Sequence, residues 1–242
     1  MENKLNSNER IIVALDVFRL EEADQLVSEL KECVGGFKAG LQLITSCGSN
    51  EVISMLNKHN VKIFYDAKFN DIPSTIGKAT KALATHGIWM FNIHASAGEV
   101  AIKEAFRNKG KSKLISVTIL TSLSDQMSVK LFGNSALIKS IEFASMAAQN
   151  GCEGVVCSPL EIRALKETTQ TSKLLLVVPG IRPLWADADD QSRYLEPSKA
   201  VALGADYLVI GRPITKPPPK IGNSKNAVDK ICSEIESLPK QY

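Results

Sequence analysis

No stretch of this sequence is apolar for long enough to cross a bilayer, which takes about 20 residues. Its opening segment, Met1 to Arg10, is polar and lacks the apolar core of a secretory leader. Histidine is scarce, at three residues, and no His, Cys or carboxylate spacing suggests a metal cluster. The five cysteines, Cys33, Cys47, Cys152, Cys157 and Cys232, are odd in number and irregularly spaced. That speaks against a disulfide framework and reads as free thiols in a reducing compartment. There is no G-x-G-x-x-G dinucleotide fingerprint and no P-loop. Charge of one sign is not in excess either: the formal net charge is +3, without the clustered basic stripe of a nucleic-acid binder. These absences predict a cytoplasmic protein with no metal, no membrane partner and no nucleic-acid partner.

What is present is a large apolar complement, 44% of 242 residues, enough for a substantial core. No linker or low-complexity segment divides the chain, and Pro217-Pro218-Pro219 reads as a rigid loop. Residues 1–242 are therefore expected to form one domain, with 1–10 as a polar N-terminal extension. Short apolar runs alternate with helical patterns. The expected strands are Ile11 to Leu15, Gly36 to Ala39, Lys62 to Lys68, Met90 to His94, Leu114 to Leu120, Gly154 to Cys157, Leu174 to Val178 and Tyr207 to Ile210. The expected helices are Leu20 to Cys33, Asn50 to Asn60 with Asn50 as N-cap, Ser74 to His86, Gly98 to Asn108, a segment from about Asn134 to Gln149 after a long loop, Leu160 to Thr168, Pro197 to Leu203, and Asn223 to Leu238. Eight strands and eight helices in strict alternation predict a parallel sheet closed into a (β/α)8 TIM barrel.

In that fold the active site lies at the C-terminal ends of the strands. The residues there are chemically distinctive. Asp16 ends the first strand, Lys38 stands near the end of the second, and Asp66, Lys68 and then Asp71 close the third. One Asp–Lys pair at a barrel rim is an ordinary salt bridge. Five charges of alternating sign converging on one face point instead to a site, because buried charge is costly unless each is held against its opposite. Asp66 and Lys68, two apart on a strand, are expected to face the interior together. Nearby carboxylates favour the ammonium form of a lysine, which suits a proton donor better than a Schiff-base nucleophile. Gly180-Ile181-Arg182 and Gly211-Arg212 follow the last two strands, where barrels commonly bind phosphate. His94 reads as a hydrogen-bonded structural residue, and Trp89 and Trp185 as packing or loop residues.

Asp66 to Thr75, DAKFNDIPST, resembles the D-x-K-x-x-D-I-P-x-T signature of the orotidine 5'-phosphate decarboxylase family. The shorter D-x-K-x-x-D is shared with sister decarboxylases and aldolases of sugar phosphates; the I-P-x-T continuation is not typical of them. Ala14-Leu15-Asp16, Phe37-Lys38, the run Val178 to Pro183 and the run Gly204 to Pro213 are similar to the family as well, so the resemblance spans about Ile11 to Thr215. Asn70 and Ser74 depart from the His and Asn of many bacterial members, at positions that do not ionise in the chemistry.

The resemblance implies a carboxy-lyase that converts orotidine 5'-monophosphate (OMP) to UMP in pyrimidine biosynthesis without a cofactor. It implies Lys68 as proton donor to C6, flanked by Asp66 and Asp71, with Asp71 lent by the second subunit of a homodimer and accompanied by Ile72 and Thr75. Asp16 and Lys38 would hold the ribose hydroxyls and the charge network, and Thr121 would meet the pyrimidine edge. Arg182, Gln191, Gly211 and Arg212 would hold the phosphate. Two other readings stay open: a metal-dependent sister barrel acting on a sugar phosphate, and a non-catalytic nucleotide-binding barrel.

Overall fold

A computed structural model describes residues 5–186 and 194–237. The elements run β1 (Ile11–Ala14), α1 (Leu20–Leu30), β2 (Gly36–Gly40), α2 (Leu41–Cys47), α3 (Ser49–Lys58), β3 (Ile63–Phe69), α4 (Pro73–Ala84), β4 (Met90–His94), α5 (Glu99–Asn108) and β5 (Lys113–Val117). They continue with α6 (Asp125–Phe132), α7 (Ala136–Gln149), β6 (Gly154–Val156), α8 (Ile162–Glu167), β7 (Leu175–Val178), α9 (Pro197–Leu203), β8 (Tyr207–Ile210), α10 (Arg212–Thr215) and α11 (Ser224–Glu236). The strands close in sequence order into a barrel of eight, and each pairs parallel to its neighbours, β8 returning to β1. The TIM barrel expected from the alternation is what forms.

Both faces of the strands are buried, as parallel strands under helices require. In β1, Ile11 and Val13 join the layer between strands and helices, while Ile12 and Ala14 join the barrel interior. The interior layer also holds Phe64, Met90, Ile115, Val177, Tyr207 and Val209. Its N-terminal mouth is stoppered by Trp89 and Tyr207, edge to face at 5.1 Å, with Leu5 packed alongside. Gly36 makes room for this stopper: a Cβ there would stand 2.8 Å from the Lys62 carbonyl and 3.4 Å from the Trp89 ring. The segment before β1 is thus fastened down, and Arg10 Nη1 also donates to the Ala205 and Asp206 carbonyls at 3.1 and 3.3 Å.

Several boundaries differ from the expectation for local reasons. The fifth strand stops at Val117, short of Leu120, because the β6 ladder ends there and the Thr118 hydroxyl donates to the Val156 carbonyl at 3.0 Å. The long loop after it contains α6, capped by the Ser124 side chain and ended by left-handed Gly133. Its Met127, Val129 and Leu131 are exposed and only Ser128 is buried, so it carries no inward apolar stripe to read. Seven-residue α2 buries Leu43 alone and was equally unreadable. Asn50 is not a cap; Gly48, at φ +85°, occupies the N-cap position of α3. Pro73 opens α4 one residue before Ser74, as its fixed φ favours. Leu238, the expected end of the last helix, lies outside the described residues. No helix among the described residues is long and apolar enough to cross a membrane.

Candidate active site

The apolar filling of the barrel interior gives way to polar side chains toward the C-terminal ends of the strands. Above it, inward positions of β2, β3 and β4 carry Lys38, Asp66 and Asn92, and a cavity of about 450 Å³ opens at the C-terminal rim. Its floor is Ala14, Phe64, Val117, Val156 and Val209. One wall carries Asp16, Lys38, Asp66 and Lys68; another carries Gly180, Arg182, Gly211, Arg212 and Lys216.

The acidic and basic groups of the first wall form a single alternating row. Lys38 Nζ lies 3.1 Å from Asp16 Oδ1 and 3.1 Å from Asp66 Oδ2. Asp66 Oδ1 accepts from Lys68 Nζ at 2.7 Å and from Asn92 Nδ2 at 2.6 Å. Burial alone would push the Asp66 carboxyl up. The charges of Lys38 and Lys68, with hydrogen bonds from Lys68 and Asn92, outweigh it and hold Asp66 below the usual carboxylate value. Burial likewise pulls Lys38 down, and Asp66 and Asp16 together overcome that and raise it. The four-member row is formally neutral, and the other wall carries the cationic side chains Arg182, Arg212 and Lys216, groups whose chemistry suits an anion.

Asp66 and Lys68 meet, though not through regular strand alternation. The β3–β4 register shifts between Tyr65 and Phe69, and Lys68 has φ +52°, a left-handed conformation uncommon for a residue with a side chain. Thr121 and Arg182 also line the cavity as expected, Arg182 only 7% exposed. Asp71, Ile72 and Thr75 do not line it: all are exposed on the chain's outer surface, and Asp71 Oδ1 accepts the backbone N–H of Ile72 at 2.6 Å. Gln191 lies outside the described residues. His94 is not among the lining residues; burial and then the Lys68 charge push its pKa down, against an upward pull from Asp66.

Five residues at the site escaped the sequence reading: Gly40, Gln42, Asn92, Thr215 and Lys216. Asn92 had a signal. It lies two residues from Met90 on β4, hence on the inward face, and a polar side chain in a doubly buried strand is costly without a partner. Gln42 sits on the unanticipated α2, and Lys216 directly follows the short α10. Gly40 has no side chain to attract notice, yet a Cβ there would stand 2.7 Å from Lys38 Nζ and 3.4 Å from Asp16 Oδ1.

Residues 9–227 match the model of the orotidine 5'-phosphate decarboxylase / HUMPS family. An orotidine 5'-phosphate decarboxylase of Nostoc is 44% identical over 220 residues, covering 86% of this chain and 91% of that one. The enzyme of the same name from Heliobacterium modesticaldum is 36% identical over 245 residues, covering 96% of this chain and 99% of its own. The crystal structure of orotidine 5'-phosphate decarboxylase from Lactobacillus acidophilus superposes with a TM-score of 0.78 at 33% identity, covering 94% and 99% of the two chains.

Proposed function

The chain belongs to the orotidine 5'-phosphate decarboxylase / HUMPS family, and we propose that it decarboxylates OMP to UMP in pyrimidine biosynthesis. The observation that carries this reading is the alternating Asp16–Lys38–Asp66–Lys68 row beside a cationic wall in one cavity. The phosphate faces Arg182, Gly211 and Arg212; a part for Gln191 in holding it rests on the family resemblance alone. The ribose hydroxyls face Asp16 and Lys38, and Thr121 meets the pyrimidine edge. This leaves C6 of the ring at Lys68.

Loss of CO2 breaks the C6–carboxylate bond and leaves its electron pair on C6, where no π-system accepts it. Fixed charge aimed at that carbon lowers the barrier because it needs no reorganisation when the anion forms. The Lys68 ammonium supplies that charge and then transfers its proton to C6, giving UMP; solvent returns a proton to Lys68. Asp66 and its Asn92 and Lys38 partners keep the ammonium aimed. The distant phosphate contributes binding energy that orients the ring. Asp71, Ile72 and Thr75, exposed on their own chain, complete the site of a second copy, so the active unit is a cytoplasmic homodimer of single barrels. No step uses a metal or cofactor.

Purified protein mixed with OMP should lose the substrate's absorbance and yield UMP at the same rate with and without EDTA. Loss of activity in EDTA, restored by magnesium, would instead identify a metal-dependent sister enzyme.

A further inference from the structure

Asn92 is 1% exposed and uses its amide at both ends. Nδ2 donates to Asp66 Oδ1 at 2.6 Å, and Oδ1 accepts the backbone N–H of Lys68 at 2.8 Å. Only this orientation satisfies both partners: turned over, the amide would set NH2 against an N–H and oxygen against a carboxylate. The second bond falls where the chain needs it. Lys68 is at φ +52°, within the stretch where β3 loses its regular pairing with β4. A backbone N–H there has left the ladder, and a buried donor without a partner is costly. Asn92 supplies the partner that the strand does not.

One side chain thus fixes the backbone from which the Lys68 side chain departs and the carboxylate on which its ammonium rests. We infer that Asn92 is a positioning residue for the proton donor, holding the Lys68 backbone in its left-handed turn while aligning Asp66 as its anchor. The inference rests on the proposed function for Lys68's catalytic part; the holding itself does not depend on that reading. The charged groups around Asn92 are Asp66 and Lys68 on β3, Lys38 and Asp16 one step further along the row, and His94 on its own strand.

The experiment compares native, Asn92→Ala and Asn92→Asp proteins by OMP turnover against pH and by amide hydrogen exchange at Lys68. Asn92→Ala should lower kcat by on the order of tenfold to a hundredfold, the effect of one lost charged hydrogen bond. KM should change little, and Lys68 exchange should quicken by about tenfold or more, since its N–H loses its acceptor. Asn92→Asp is nearly isosteric. As a neutral acid it can donate to Asp66 and accept from Lys68; ionised, it loses the donor and sets charge against Asp66. Its kcat should therefore approach the native value at acid pH and fall as pH rises, a limb that the native profile lacks. If Asn92→Ala does not fold, Asn92→Asp decides. Native kcat in Asn92→Ala, or a loss in Asn92→Asp that does not vary with pH, overturns the inference. A native protein that does not act on OMP overturns the proposed function instead, and Lys68 exchange then decides whether Asn92 holds the turn: faster exchange in the alanine variant supports it, unchanged exchange refutes it.

Discussion

Lys38 Nζ sits between two carboxylates at equal reach, 3.1 Å from Asp66 Oδ2 on the next strand and 3.1 Å from Asp16 Oδ1 after the previous one. The position is tight, because the ammonium occupies the space that a Cβ on Gly40 would take, 2.7 Å away. Gly40 itself has φ −97° and ψ 179°, which any residue adopts. Gly40→Ala should therefore leave the backbone unstrained and act through Lys38 alone. Displacing a charged hydrogen bond costs roughly 1.5–3 kcal/mol, so kcat/KM for OMP should fall on the order of tenfold to a hundredfold while the circular dichroism spectrum stays native. Unchanged kinetics would mean that Lys38 can move aside without loss.

The same pair sets a pH dependence of stability. Asp66 is held below its ordinary 3.8, so its contribution is present above that value and is lost as pH falls through the folded one. Lys38 is raised above its ordinary 10.5, so its contribution is present below that value and is lost as pH climbs through the folded one. Urea unfolding of native and Asp66→Asn proteins should show a stability difference that is flat between about pH 5 and 9 and shrinks below about pH 4. A difference that persists undiminished at the acid end would show that Asp66 is not preferentially ionised in the folded state.

The cationic wall should act on the phosphate and not on the reacting carbon. Arg212→Ala should lower kcat/KM for OMP on the order of tenfold to a hundredfold and hardly affect orotidine, the nucleoside without the phosphate. Lys68→Ala should abolish turnover of both. Equal slowing of OMP and orotidine by Arg212→Ala would assign that residue to the barrel or the chemistry.

Asp71 offers a test of the shared site. Asp71→Ala and Lys68→Ala proteins should each be inactive alone. Mixed at equal amounts and allowed to exchange subunits, they should regain about a quarter of the native sites, since each mixed dimer carries one intact set. Mixed dimers, verified by a mass tag, that show no recovery would place Asp71 elsewhere.

The barrel was legible because its signals are local. Apolar runs of strand length alternate with helical periods, and each is visible within a window of a dozen residues. The helices missed are α2, which buries Leu43 alone, α6, which buries no apolar residue, and α10, which is one turn long, so none of them shows a readable apolar period. Strand-end charges were legible for a related reason: the fold fixes which end of a strand bears chemistry, so Asp16, Lys38, Asp66, Lys68, Arg182 and Arg212 could be picked by position alone.

Sequence by itself thus determined the eightfold alternation and the supply of charges at one rim. Tertiary structure decided their partners. Asn92 reaches Asp66 across 26 residues of chain, and Lys38 reaches Asp16 across 22. Both pairings depend on the register between neighbouring strands, which no single segment encodes. The bulge that turns Lys68 to φ +52° follows from the mismatch between β3 and β4, and the crowding beside Gly40 exists only once Lys38 has been drawn between its two carboxylates. Periodicity says which way a side chain points; closure of the barrel says what it meets there.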